Sequence, residues 1–272
     1  MIIGNNFFIV DMPKSGSTFL RNYFNQYKNI ELTIHHETIN QNKRFDLLNL
    51  NQRIGLIRNP YAWYLSIWKW SCKNKKKSPL YSDITSRRLK LKRLRFNSRT
   101  LKYVICQITK DKTYLKNLFE NPDSKKNFND FLKILLNFNL RNIVSSDYSF
   151  VPHENLGFMT FSFFLQNVLR RDYNILFYTE KNLEKILSNI NKKIYTNMYF
   201  KTENLENDLK EFVIRNKLEL KNFQKIEKNS TSQNHINDYF DIFSRENLLL
   251  IEKKDEFIFK KFNYEKISKS LK

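Results

Sequence analysis

The stretch FFIVDMPKSGSTFLRNYFNQY, residues 7–27, decides how the rest of the chain is read. Its first four residues form a continuous apolar run, short enough for a strand buried on both faces. Phe19, Leu20, Tyr23, Phe24 and Tyr27 then recur at spacings of three and four, the stripe of an amphipathic helix. Between them lies a loop holding Lys14, Ser15, Gly16, Ser17 and Thr18. Strand, Gly/Ser/Lys loop and helix make an anion cradle, because backbone N–H groups and the positive helix end point into the loop. Gly16 lets the backbone come close, the three hydroxyls add donors, and Lys14 adds a point charge. The order differs from the GxxxxGK[ST] motif of nucleotide kinases, since here the Lys precedes the Gly. A capped helix after a tight turn is the purely structural alternative.

Working outward, residues 30–34 (IELTI) alternate apolar and polar and predict a second strand, ending at His35-His36-Glu37. Residues 53–57 (RIGLI) predict a third, ending at Arg58-Asn59-Pro60. Pro60 suits the first turn of a helix, where its missing N–H has no partner to lose. That helix is expected over Tyr61 to Trp70, with Trp63, Trp68 and Trp70 serving its packing. TNMYF (196–200) predicts a late strand, and KTENLENDLKEFV after it a helix with an acidic start. Residues 113–171 read as mostly helical. Alternating strands and helices argue for an α/β fold with a central parallel sheet flanked by helices. No Gly/Pro/Ser-rich linker interrupts the chain, so residues 1–272 are expected to form one domain, elaborated by helices over about 71–195.

Composition narrows the class. At 41% hydrophobic and 15% aromatic over 272 residues, the chain is no disordered polybasic tail. Two cysteines, Cys72 and Cys106, are too few for a disulfide framework or a zinc cluster. There is no run of 18 apolar residues for a transmembrane span. The start, MIIGNNFFIVDMP, lacks the basic segment and cleavage site of a signal peptide. The expected location is the cytoplasm, with a peripheral place at a membrane as a variant.

Lys and Arg number 48 against 27 Asp and Glu, a net charge of +21. Fifteen of those cations fall in residues 69–112, opposed only by Asp83 and Asp111, in a basic insert that includes KNKKK (73–77) and RRLKLKRLR (87–95). An anionic partner is one reading. Codon bias is the other: 35 Asn and a single Ala, Ala62, suit A/T-rich codons.

The second informative motif is RNPYAWYLS (58–66), with an Arg at a strand end, a Pro at the helix start and Ser66 eight residues after Arg58. Arg can fork onto a phosphate, and a helix Ser can reach back to it. Together, PKSGSTFL (13–20) and RNPYAWYLS resemble the sulfotransferase family that uses 3′-phosphoadenosine 5′-phosphosulfate (PAPS), in its bacterial carbohydrate-type form. KTENLENDL (201–209) and the tail, with NST (229–231), Tyr239 and DEFIFKKFNY (255–264), resemble the same family. The resemblance covers residues 7–70 and 197–264 and is weak over 71–195.

The resemblance implies a P-loop-like three-layer fold. It also implies that residues 14–18 grip the 5′-phosphosulfate while Arg58 and Ser66 hold the 3′-phosphate. Lys228, Asn229 and Ser230 fall where the family closes a basic loop over that phosphate, although the Arg-Lys-Gly triplet of cytosolic small-molecule members is missing. Lys14 is expected to stabilise the leaving phosphate, with adenosine 3′,5′-bisphosphate (PAP) as product. Cations that already hold the leaving group make a metal unnecessary, and no ligand cluster stands out in the sequence.

A base must take the acceptor's proton. His36 is the first candidate, 22 residues from both Lys14 and Arg58, followed by Glu37 and then His35. His153 and His235 lie in stretches with no anchor. The acceptor implied is a hydroxyl on a carbohydrate or glycolipid. Two other functions compete: a different phosphate-handling transferase or kinase, and a nucleic-acid-binding protein using the basic insert.

Overall fold

Phe7–Val10 forms a strand because both of its faces find apolar cover. In the computed structural model, described for residues 1–34, 36–87, 89, 98–177, 182–221 and 241–268, the chain divides into two compact units. The first comprises Met1–Asn59, Ser162–Asn174 and the described part of 184–233. The second comprises Pro60–Phe161 and the described parts of 175–183 and 234–272.

The first unit holds a five-stranded sheet of β1 (Ile2–Ile3), β2 (Phe7–Val10), β3 (Glu31–Leu32), β4 (Gln52–Ile57) and β5 (Met198–Lys201), in the order β3-β1-β2-β4-β5. β2 runs parallel to β4 in the register Ile9–Ile54, and β4 parallel to β5 in the register Leu56–Phe200. β1 is antiparallel to both β2 and β3. The sheet is therefore mixed where a wholly parallel one was expected. The parallel part is its β2-β4-β5 side.

Side chains alternate across β2. Phe7 meets Phe212 edge-on at 4.9 Å between ring centroids, and Phe24 at 5.8 Å. Phe8 and Val10 join a cluster with Met1, Ile3, Ile39, Leu47 and Tyr195. Each side chain buried in this way contributes about 1.5–3 kcal/mol, which is why an unbroken FFIV run is stable here. The helix Ser17–Phe24 supplies Phe24, and the helix Leu205–Arg215 supplies Phe212.

The second unit is helical among its described residues. Its helix Pro60–Lys73 starts on Pro60 and buries Trp63 and Trp68. Trp68 packs on Phe128 at 5.1 Å and donates its indole N–H to the Leu118 carbonyl at 3.2 Å. Trp70 is only half-buried. Tyr64 donates to the fully buried Asp255 at 2.7 Å, and Thr160 does so through both its amide and its hydroxyl. Arg141 is wholly buried. It donates to the carbonyls of Val151, His153, Glu154 and Leu156 at 3.0–3.4 Å, and lies 4.1 Å from the Tyr148 ring centre.

Candidate functional site

The phosphate-type loop sits where the parallel strands end. β2 stops at Val10, residues 11–16 turn, and the helix begins at Ser17. The turn is tight: Gly16 has φ +89° and Lys14 φ +63°, both left-handed. A side chain at Gly16 would be strained by that φ, and a Cβ there would stand 2.4 Å from Leu205 Cδ2. Leu205 opens the helix Leu205–Arg215, so the late KTENL stretch braces the loop. The helix Ser17–Phe24 has no acidic residue in its first turn to offset its positive end. Ser15 is fully buried, and its Oγ has no hydrogen-bond partner among the described residues. Ser17 is buried as well, while Thr18 is exposed.

Arg58 is brought to this loop from the end of β4. Its Nη1 donates to the Lys14 carbonyl at 3.2 Å. Lys14 is half-buried, and its ammonium is pushed down to about 8, by burial first and by the Arg58 cation second. Two like charges are thus held beside each other at a helix N-terminus, an arrangement that an anion relieves. The end of β4 is locked from the single 3-10 turn, Thr202–Asn204, that follows β5. Thr202 donates to the Ile57 carbonyl at 3.1 Å, and Glu203 Oε1 accepts the Asn59 amide at 2.6 Å.

His36 lies at the same strand end. Its backbone is left-handed, φ +60°, and its Nδ1 is 3.1 Å from the Asp11 carbonyl. A carbonyl only accepts, so Nδ1 carries the hydrogen and the lone pair falls on Nε2. Burial pushes the His36 pKa below its ordinary value, against the opposing pull of Asp11. The imidazole is therefore neutral at neutral pH and able to take a proton. Asp11 is itself fixed: its buried carboxylate accepts from Arg21 at 2.7 Å, and Arg21 also donates to the Thr33 carbonyl. Arg21 thereby ties β2's end to the chain that leads to His36.

Lys14, Ser15, Gly16, Ser17, Arg58 and His36 are thus gathered at one end of the β2/β4 pair. Glu37 is half-buried and bonds through its amide to the Ile34 carbonyl at 3.1 Å. Ser66 belongs to the second unit, buried on the helix Pro60–Lys73. His35, Lys228, Asn229, Ser230, Tyr239 and His235 lie outside the described residues, as does most of RRLKLKRLR. His153 is buried in the second unit. Among the described residues no three His, Cys, Asp or Glu side chains cluster as metal ligands would, and no helix is long and apolar enough to cross a membrane.

Three contributors were not singled out from sequence: Asp11, which orients His36 through its carbonyl; Leu205, which braces Gly16; and Glu203, which holds the Asn59 amide. A charged residue directly after a fully apolar strand was the available signal for Asp11. Compared with family models, curated proteins and solved structures, the chain finds no match.

Proposed function

We propose that this chain is a sulfotransferase that moves the sulfuryl group of PAPS to an acceptor hydroxyl, on a carbohydrate or glycolipid, in the cytoplasm. In this reading the β2-β4-β5 region is the core of a P-loop-like three-layer fold. The observation that carries the proposal is the pairing of Lys14 with Arg58 at the loop before the helix Ser17–Phe24. Two adjacent cations, one with its ammonium pushed down by burial and then by the other, suit a ligand of high negative charge.

The chemistry assigned to these residues is in-line transfer. The acceptor oxygen forms a bond to sulfur as the bond from sulfur to the 5′-phosphate oxygen breaks. His36 Nε2 takes the acceptor's proton, and Nδ1 stays fixed on the Asp11 carbonyl. Negative charge grows on the leaving phosphate, where Lys14 and the first-turn amides stabilise it. In this reading the buried Ser15 hydroxyl, which has no hydrogen-bond partner among the described residues, donates to the same group. The bond geometry at Nδ1 favours His36 over Glu37 as the base.

Calorimetry with adenosine 3′,5′-bisphosphate tests the donor site. Wild-type protein should bind it, and Lys14→Ala and Arg58→Ala should each lose at least about tenfold in affinity, as the loss of a charge-assisted contact implies. Undiminished binding by Arg58→Ala would sink the assignment. Radiolabelled donor supplied with cell extract would then identify the acceptor by the labelled product. The kinase alternative predicts Mg²⁺-dependent nucleoside triphosphate hydrolysis in the same preparation.

A further inference from the structure

The helix Ser98–Thr109 sits in the basic insert and is two-faced. Its inner face buries Tyr103 and Gln107, and Gln107 Nε2 donates to the carbonyls of Asn142 and Ile143 at 2.8 and 2.9 Å. Its outer face carries Leu101, Ile105 and Ile108, exposed by 61, 50 and 57%. Spacings of four and three put these side chains in one stripe along the helix. Single exposed aliphatics are ordinary on a protein surface, but a continuous row marks a surface that meets something apolar. Beside Ile105 in the chain, Cys106 opens onto a cleft of about 340 Å³ with apolar walls at Leu115, Ile134 and Ile143 and the pairs Lys110/Lys133 and Asp111/Asp130 in its lining.

The stripe's surroundings are cationic. Lys102 is exposed on the same helix, and Lys112 and Lys116 are exposed on the helix that follows. In sequence, residues 69–112 hold 15 Lys and Arg against two acidic residues, Asp83 and Asp111, and Asp111 is exposed just before Lys112. We propose that this face docks on an anionic membrane surface. Leu101, Ile105 and Ile108 enter the boundary of the acyl chains, and the flanking cations meet lipid phosphates.

An aliphatic stripe accompanied by exposed lysines is the composition of a helix lying in the membrane interface, and the negative leaflet attracts the cations. Other occupants fit less well. A second copy of the chain would press the same cations together, at +21 for each copy. Nucleic acid is bound through cations and aromatic stacking, which leaves three aliphatic side chains unused. The face shares no residue with the donor site, so the two readings stand or fall separately.

Sedimentation of the full chain with vesicles tests the proposal, using phosphatidylcholine alone or mixed equally with phosphatidylglycerol. Binding should be confined to the mixed vesicles. The variant Leu101→Ser/Ile105→Ser/Ile108→Ser should keep the wild-type circular dichroism spectrum and melting curve, yet lose about tenfold or more of its partitioning. Separately, Ile105→Trp should shift its emission to the blue on the mixed vesicles and be quenched by lipids brominated along the acyl chain. Equal binding to both vesicle types would overturn the proposal. So would full binding by the triple variant, or an Ile105→Trp emission that vesicles leave unchanged. A wild-type dimer in sedimentation velocity that the triple variant abolishes would give the face to a second copy instead.

Discussion

Replacing Lys14 by Met is expected to make the protein more stable while removing the proposed donor site. The Lys14 ammonium is held down to about 8 from an ordinary 10.5, by burial and by the Arg58 cation. A base with a depressed pKa in the folded state destabilises the fold when it is protonated. That cost is fully present below about pH 8 and is relieved as the pH rises through 8 toward 10.5. The gap between the two values corresponds to at most about 3 kcal/mol. Residual contact of the side chain with water reduces the expected gain from Lys14→Met to about 1–3 kcal/mol at neutral pH. Met keeps most of the apolar stem and removes the ammonium. Urea unfolding followed by circular dichroism should show this gain near pH 7. Near pH 10 the gain should shrink to less than about 1 kcal/mol, because the wild-type lysine is then neutral in the fold and partly neutral outside it. A Lys14→Met variant no more stable than wild type at neutral pH would refute the reasoning. A gain that persists undiminished near pH 10 would do the same.

Gly16→Ala should cost about 2–4 kcal/mol, from the left-handed backbone and the displacement of Leu205, and weaken nucleotide binding; equal unfolding midpoints would contradict the loop geometry. His36→Gln should bind adenosine 3′,5′-bisphosphate normally but transfer sulfate about 10²–10⁴-fold more slowly, and unchanged turnover would remove His36 as the base. The wild-type pH profile of kcat/KM should rise with a limb below the ordinary histidine value, since His36 must be neutral. It should fall above about 8 as Lys14 loses its proton, and a profile without that alkaline limb would count against Lys14. Arg141→Met should destabilise by about 2–4 kcal/mol, because the carbonyls of Val151, His153, Glu154 and Leu156 each lose a guanidinium donor; chemical denaturation of the variant measures this directly.

The parallel strands and their helices were legible because each carries a local signature. The FFIV run matches β2, RIGLI falls within β4, and TNMYF overlaps β5 at Met198–Phe200. The expected helix Tyr61 to Trp70 is real and extends to Pro60–Lys73, while the helix after KTEN runs Leu205–Arg215. The edge of the sheet was not legible. IELTI alternates over five residues, yet only Glu31–Leu32 pairs, and it pairs with the two-residue β1. So short a partner offers no more register, and Ile34 is left largely exposed. β1 itself is too short to show any period. The direction of these edge strands depends on pairing with β2, which no local pattern encodes.

By itself the sequence determined the cradle: an apolar strand, a Lys-Ser-Gly-Ser-Thr loop and an amphipathic helix, because each rests on local periodicity and on glycine's tolerance of positive φ. It also named Lys14, Arg58 and His36 as candidates from their places at strand ends. Only the tertiary structure decided how these residues act on one another. Arg58 reaches the Lys14 carbonyl because β4 lies parallel to β2, and that proximity, with burial, depresses the lysine. The Asp11 carbonyl chooses the His36 tautomer across 25 residues of chain. Burial and through-space charge are properties of neighbours in the fold, and a linear sequence does not state who those neighbours are.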